Sequence, residues 1–143
     1  KWLNEAKSEM GGAEQELAER LADPAWPQDP ARVEGLRKGV EALAAEYFLS
    51  AKGTNGRPRD PVARFHLGNG ARLERINFMG DLSPKALRDG GGLMVNYLYD
   101  LDEIEANHEA YANEKQVMAS SAVKRLWKGP ARSRLQVGAG SSN

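Results

Sequence analysis

The sequence predicts an α+β fold, with several helices, an antiparallel β-hairpin and a further strand. Apolar residues recur at spacings of three and four over residues 31–51, which is the period of a helix. Residues 62–67 and 71–78 alternate apolar and polar side chains on either side of a glycine turn, which is the period of strands. Residues 93–99 are rich in β-forming side chains.

The first half of the chain is predicted to be mainly helical. Residues 1–22 have a helical pattern that Gly11 and Gly12 should interrupt, because each glycine lowers helix stability by about 1 kcal/mol. Residues 23–30 are rich in proline, which favours a linker loop. The amphipathic helix over residues 31–51 follows this loop.

The hairpin is predicted from the alternation and from its turn. Asn69 and Gly70 would form the tip, because an Asn-Gly pair suits the positive φ angles of a tight turn. Since successive side chains of a strand point to opposite faces, four residues would share one face. These are Arg64, His66, Leu73 and Arg75.

The second half of the chain mixes short helices with one strand. Ser83 is a good N-cap for a short helix, which the glycines from Gly90 onwards should end. Residues 93–99 carry little charge, and we expect this strand to be covered on both faces. An acid-rich segment over residues 100–114 and a segment over residues 115–127 are each predicted to be a helix.

Length and composition limit the classes of function. A chain of 143 residues indicates one domain, which we place at residues 1–128, with residues 129–143 as a disordered tail. Because the formal net charge is zero, no whole-molecule field directs the chain to nucleic acid. No apolar stretch approaches the roughly 18 residues typical of a membrane span. We therefore expect neither nucleic acid nor membrane as a partner.

The scarcity of cysteine and histidine limits the chemistry. The chain has no cysteine, which excludes disulfides, thiolate metal sites and a cysteine nucleophile, and fits a location in the reducing cytoplasm. Its two histidines argue against a multi-histidine metal site. We expect neither a metal nor a cofactor.

A few side chains are candidates for function on residue type alone. His66, near a glycine turn and among arginines, can act as a general acid or base or bind an anion, although a structural histidine fits the pattern as well. Arg64 can bind a carboxylate or phosphate, or lie on a solvated face. Tyr97 and Tyr99 lie at alternate positions on one strand face, where we expect at least one to pack in the core. His108 is predicted to be a surface residue.

Residues 60–71, with the sequence DPVARFHLGNGA, resemble a signature of malonyl-CoA decarboxylases. The resemblance continues through residues 75–81 and 92–99 and includes Ser120, and it covers roughly residues 31–127. It implies part of a catalytic domain with an N-acetyltransferase-like fold. It also implies an enzyme of fatty acid metabolism, a carbon–carbon lyase that converts malonyl-CoA to acetyl-CoA and carbon dioxide without a cofactor.

The resemblance also assigns roles to residues. The family's catalytic histidine lies in a Phe-His-Leu motif, which falls on His66, and an active-site tyrosine lies in an Asn-Tyr-x-Tyr motif, which falls on Tyr99. This implies that His66 binds the malonyl carboxylate or manages the proton and that Tyr99 supports it by hydrogen bonding. Asn69 and Arg64 are the candidate substrate-binding residues.

The family's catalytic serine and its main acyl-CoA-binding strand would lie before Lys1. We therefore expect the isolated chain to be an incomplete, inactive piece of a longer product that forms a homo-oligomer or associates with the rest of its own domain. One alternative is a non-catalytic interaction domain that keeps the fold and binds a partner through the acid-rich helix or the basic C-terminal run. Another is a different acyl-CoA acyltransferase.

Overall fold

The computed structural model describes residues 12–53 and 55–127, and their fold is α+β, as predicted. Two strands form an antiparallel sheet among helices. The predicted break at Gly11 and the predicted disordered tail lie outside the described residues, apart from Gly12, where the first helix begins. In chain order the elements are α1 (Gly12–Ala22), a 3₁₀ helix (Trp26–Gln28), α2 (Pro30–Leu49), α3 (Pro61–Gly68), β1 (Arg72–Asn77), α4 (Pro84–Gly90), β2 (Met94–Leu98), α5 (Ile104–Glu114) and α6 (Ser121–Leu126).

The described residues divide into two compact units. The first contains residues 12–43 and 77–94, and the second contains residues 44–53, 55–76 and 95–127. Helix α2, predicted from its apolar spacing, is confirmed and contributes residues to both units. The candidate site residues all belong to the second unit.

The core of the first unit is built around Trp26. This side chain is 2% exposed, and its indole stacks on the ring of Phe78 with a centroid distance of 5.9 Å. Leu36 and Val40 from α2 join the same cluster. The prediction of a linker loop over residues 23–30 is therefore wrong for its central part, because burial of the indole is strongly favourable and Pro27 fits the first turn of a helix.

The predicted hairpin is wrong, because its first strand is helix α3. Asp60 caps this helix by accepting a hydrogen bond from the amide of Ala63 at 2.9 Å, and Pro61 occupies its first turn. Ala63 and Leu67, four residues apart, are both buried. The cap and the spacing of four prevail over a short alternating pattern. Asn69 is therefore a helix C-cap and not a hairpin tip.

The second predicted strand of the hairpin is present as β1, but it pairs with β2. Arg64 and His66 consequently share no sheet face with Leu73 and Arg75. The strand β2 is confirmed, whereas the prediction that it is covered on both faces is wrong for the described chain. Met94 is 50% exposed and alternate residues of β2 are open to solvent, so one face of this strand is uncovered within the described part of the chain.

The last two predicted helices differ in accuracy. Helix α5 is confirmed within residues 100–114 and ends where Lys115 adopts a left-handed conformation with φ of 54°. The predicted helix over residues 115–127 is too long, because the chain then runs extended and Ala119 pairs in parallel with Leu73 of β1. Helix α6 begins only at Ser121.

Ser120 connects the start of α6 to β1. Its hydroxyl accepts a hydrogen bond from the amide of Val123 at 3.2 Å and donates one to the carbonyl of Glu74 at 2.7 Å. Its own amide donates to the carbonyl of Leu73 at 2.9 Å. The hydroxyl of Ser120 therefore forms hydrogen bonds both to helix α6 and to strand β1.

Replacing Ser120 by alanine should lower the free energy of unfolding by about 1–2 kcal/mol, because it removes the cap and leaves the Glu74 carbonyl without this donor. Ser121→Ala is the matched control, since the exposed Ser121 lies just inside the same helix. Urea unfolding of both variants measures the difference. Equal effects of the two substitutions would contradict the proposed role of Ser120.

Candidate active site

The structure brings His66 into contact with Tyr99, the two residues to which the family resemblance assigns catalytic roles. The Nδ1 atom of His66 lies 2.7 Å from the hydroxyl oxygen of Tyr99. His66 is half-buried on α3 and Tyr99, just after β2, is 41% exposed. A helix and the end of a strand therefore bring together two side chains that are 33 residues apart in the sequence.

Tyr97 covers one face of the same imidazole. Its ring centroid lies 4.4 Å from that of His66, with an interplanar angle of 20°. Tyr99 and Phe65 contact the imidazole edge-on, with centroid distances of 5.8 and 5.2 Å. Tyr97 and Tyr99 lie on the same side because alternate residues of an extended chain point the same way.

The hydroxyl of Tyr97 is buried and finds no hydrogen-bond partner within the described part of the chain. Burial raises the pKa of Tyr97 far above its ordinary value, and the nearby Asp60, Tyr47 and Tyr99 raise it further. This phenol therefore stays un-ionised at neutral pH, and its contact with His66 is made through the ring.

The contact between His66 and Tyr99 fits two proton arrangements. If the Tyr99 hydroxyl donates to Nδ1, a neutral His66 carries its proton on Nε2 and can donate to an anion. If Nδ1–H donates to the Tyr99 oxygen, Nε2 is left as an acceptor and can take a proton. The same pair can thus bind a carboxylate or transfer a proton.

Arg64 lies on α3, but its side chain forms hydrogen bonds with the loop that precedes this helix. Its Nη1 donates to the carbonyl oxygens of Pro58 and Arg59 at 3.0 and 2.9 Å. Positions two apart on a helix point in different directions, so the guanidinium does not share a face with His66. The substrate-binding role of Arg64 stays a prediction.

Asn69 ends α3. Its side-chain amide donates to the carbonyl of Phe65 at 2.8 Å, and its backbone amide bonds the carbonyls at the end of the helix. The side chain is exposed. Its substrate-binding role also stays a prediction, whereas its capping contact is a feature of the structure.

Helix α5 contacts the turn that follows α3. This contact was not predicted from the sequence. Asn107 is 5% exposed and donates from Nδ2 to the carbonyl of Gly70 at 3.2 Å. His108 is exposed, as predicted for a surface residue, yet its Nδ1 lies 2.7 Å from the carbonyl oxygen of Gly68, which fixes the proton on Nδ1. The two glycines of this turn, Gly68 and Gly70, are the sequence signal from which a close approach of another backbone could have been predicted.

The described residues contain no group of three or more acidic, histidine or cysteine side chains arranged to hold a metal. None of the helices in the described ranges has the length and apolar character needed to cross a bilayer.

Comparison with known families agrees with the resemblance of residues 60–71. Residues 1–137 match the family described as "Malonyl-CoA decarboxylase C-terminal domain". The chain belongs to the malonyl-CoA decarboxylase family. The resemblance deduced from the sequence is thus confirmed, and His66 and Tyr99 lie within the matched segment.

Curated malonyl-CoA decarboxylases are similar over about three quarters of the chain. The mitochondrial protein of Anser anser anser is 39% identical over 107 residues, which is 75% of this chain and 21% of that protein. The mitochondrial protein of Rattus norvegicus is 38% identical over 106 residues, or 74% of this chain and 21% of that protein. The chain thus matches about a fifth of the length of these relatives.

Solved malonyl-CoA decarboxylase structures share the fold of the chain. The crystal structure of the Rhodopseudomonas palustris protein is 55% identical with a TM-score of 0.77, and the match covers 82% of this chain and 27% of that one. That of the Agrobacterium vitis protein is 52% identical with a TM-score of 0.78, covering 84% of this chain and 30% of that one.

Proposed function

We propose that the protein containing this chain is a carboxy-lyase that converts malonyl-CoA to acetyl-CoA and carbon dioxide, with His66 at its reacting centre. The observation that carries the proposal is the 2.7 Å contact between Nδ1 of His66 and the Tyr99 hydroxyl in a chain of the malonyl-CoA decarboxylase family. The site would belong to a catalytic domain with an N-acetyltransferase-like fold, of which residues 1–128 form the C-terminal portion.

The chemistry needs little from the protein. The bond between the carboxylate carbon and the α-carbon breaks, and its electron pair passes into the thioester, which becomes an enolate. A proton then adds to the α-carbon to give acetyl-CoA. The protein must hold the carboxylate, stabilise the enolate oxygen and supply the proton, and none of these tasks requires a cofactor.

His66 suits the first or the third task. With Nε2 protonated, it can hold the malonyl carboxylate before carbon dioxide leaves, or deliver that proton to the α-carbon afterwards. Tyr99 holds the Nδ1 atom of His66 by its contact, which leaves Nε2 for the substrate. We propose that Arg64 and Asn69 contribute to substrate binding from the same helix and its cap, and that no metal takes part.

The proposal is tested with the full-length protein and malonyl-CoA as the substrate. We expect equal amounts of acetyl-CoA and carbon dioxide, measured by chromatography and by carbon dioxide release. Transfer of an acetyl group from acetyl-CoA to an amine, without decarboxylation, would instead indicate an acyltransferase. No turnover of either kind would favour a non-catalytic interaction domain.

Tyr99→Phe should lower kcat for carbon dioxide release about tenfold, because the hydrogen bond that holds Nδ1 of His66 is lost. Tyr111→Phe is the matched control, since its buried hydroxyl has no partner within the described residues. Steady-state kinetics with malonyl-CoA compares the two. An unchanged kcat in Tyr99→Phe would remove Tyr99 from the proposal.

The remaining expectations concern the whole protein. We propose that the family's serine and main acyl-CoA-binding strand are supplied from outside this chain, so the chain alone should not turn over malonyl-CoA. We also propose a homo-oligomer located in the cytoplasm. Light scattering on the full-length protein measures the oligomeric state, and fractionation of cells measures the location.

A further inference from the structure

The imidazole of His66 needs more than one contact to hold its plane. The second side-chain torsion of a histidine is broad, so the ring is not fixed by its own rotamer preference. The hydrogen bond at Nδ1 fixes one atom, but the ring can still swing about that contact. A flat surface against one face would stop this motion.

Tyr97 supplies such a surface. Its ring lies nearly parallel to the imidazole, at 20° and with a centroid distance of 4.4 Å. Its hydroxyl has no hydrogen-bond partner in the part of the chain that the structure describes. The contact with His66 is therefore a ring contact, and the phenol oxygen takes no part in it.

The ring of Tyr97 is itself fixed by packing against buried side chains. It packs against the buried cluster of Ala63, Leu67 and Tyr111, of which the first two lie on α3, the helix that carries His66. Its backbone lies in β2, whose ladder to β1 sets its position. Tyr97 thus lies between a packed core and the imidazole.

We infer that Tyr97 is a positioning residue, whose ring, and not its hydroxyl, sets the plane of the His66 imidazole and so directs Nε2 to the substrate. This inference deepens the proposed function and rests on it for its activity test. It assigns different roles to the two tyrosines. Tyr99, just after β2, holds the Nδ1 atom of His66, and Tyr97, within β2, holds the plane of the imidazole.

The test uses two substitutions at Tyr97 in the full-length protein. Tyr97→Phe keeps the ring and should leave kcat and KM for malonyl-CoA within about twofold of the unmodified protein. Tyr97→Leu keeps apolar bulk without a ring and should lower kcat about tenfold with little change in KM, because a misplaced group costs rate at the reacting centre. Phe48→Leu is the matched control, since Phe48 packs against the same cluster without a ring contact to His66.

A second measurement is independent of activity. Diethyl pyrocarbonate modifies neutral imidazoles, and peptide mass spectrometry gives the rate at His66 relative to His108. Tyr97→Leu should raise this ratio several-fold because one face of the imidazole is uncovered, whereas Tyr97→Phe and Phe48→Leu should not. If circular dichroism shows that Tyr97→Leu does not fold, Tyr97→Met provides the same comparison.

Three results would overturn the inference. One is an unchanged kcat in Tyr97→Leu, another is an unchanged labelling ratio, and the third is a loss in Tyr97→Phe as large as that in Tyr97→Leu, which would assign the effect to the hydroxyl. A full-length protein that does not decarboxylate malonyl-CoA would end the proposed function, while the labelling ratio would still decide the role of Tyr97.

Discussion

His66→Asn should lower kcat for carbon dioxide release from malonyl-CoA by about 10²–10⁴-fold, the range typical of a lost general acid or base. The amide of asparagine can still meet the Tyr99 hydroxyl, because it occupies nearly the position of Nδ1. It has no atom where Nε2 lies, and it does not transfer protons near neutral pH. The substitution therefore removes the function of the ring while keeping its anchoring contact.

His108→Asn is the matched control for this experiment. An asparagine amide there can still donate to the carbonyl of Gly68, which His108 contacts at 2.7 Å. We expect its kcat to stay within about threefold of the unmodified protein, because His108 is exposed and has no part in the proposed reaction, and surface substitutions change stability by only about 0.5 kcal/mol. Comparable losses in His66→Asn and His108→Asn would show that the effect is not specific to the proposed site.

A glutamine at position 66 separates the two roles proposed for His66. Its amide nitrogen reaches nearly the position of Nε2 and can donate a hydrogen bond to a carboxylate, but it cannot deliver a proton. If His66 chiefly binds the carboxylate, His66→Gln should keep much more activity than His66→Asn. If His66 chiefly moves the proton, the two variants should be equally impaired. Single-turnover carbon dioxide release measures both.

Long, strongly periodic segments could be predicted from the sequence. The apolar spacing of α2 recurs along a helix of 20 residues, so no competing period fits it. The Ser83 cap and the following proline mark the start of α4. The eight residues of α3 are too few for period alone to decide. There the Asp60-Pro61 start signal was the better guide.

The candidate site also contains residues that the sequence could identify and residues that it could not. His66 and Tyr99 followed from a family signature, and the structure brings them into contact, but pattern alone favoured neither of them. Tyr97, Asn107 and the exact partners of α3 depend on contacts between distant parts of the chain. Asn107 lies 37 residues from Gly70, and no local pattern specifies such a pair.

Gly70→Ala should lower the free energy of unfolding by about 3 kcal/mol or more, because two costs add. Gly70 has a φ of +91°, which side-chain-bearing residues rarely adopt. A Cβ atom there would lie 2.5 Å from the carbonyl oxygen of Ile104, a backbone atom that cannot move without displacing α5. Urea unfolding of the variant measures this loss.

Gly68→Ala provides the contrast two residues earlier. Its added Cβ would meet the ring of Tyr111 at 3.6 Å, an ordinary contact, and alanine favours the helical conformation that ends there. We expect no loss of stability in that variant. If Gly70→Ala were as stable as Gly68→Ala, the turn would not need the close approach of α5. If Gly70→Ala is less stable as expected, its kcat should also fall, since this turn fixes the end of the helix that carries His66.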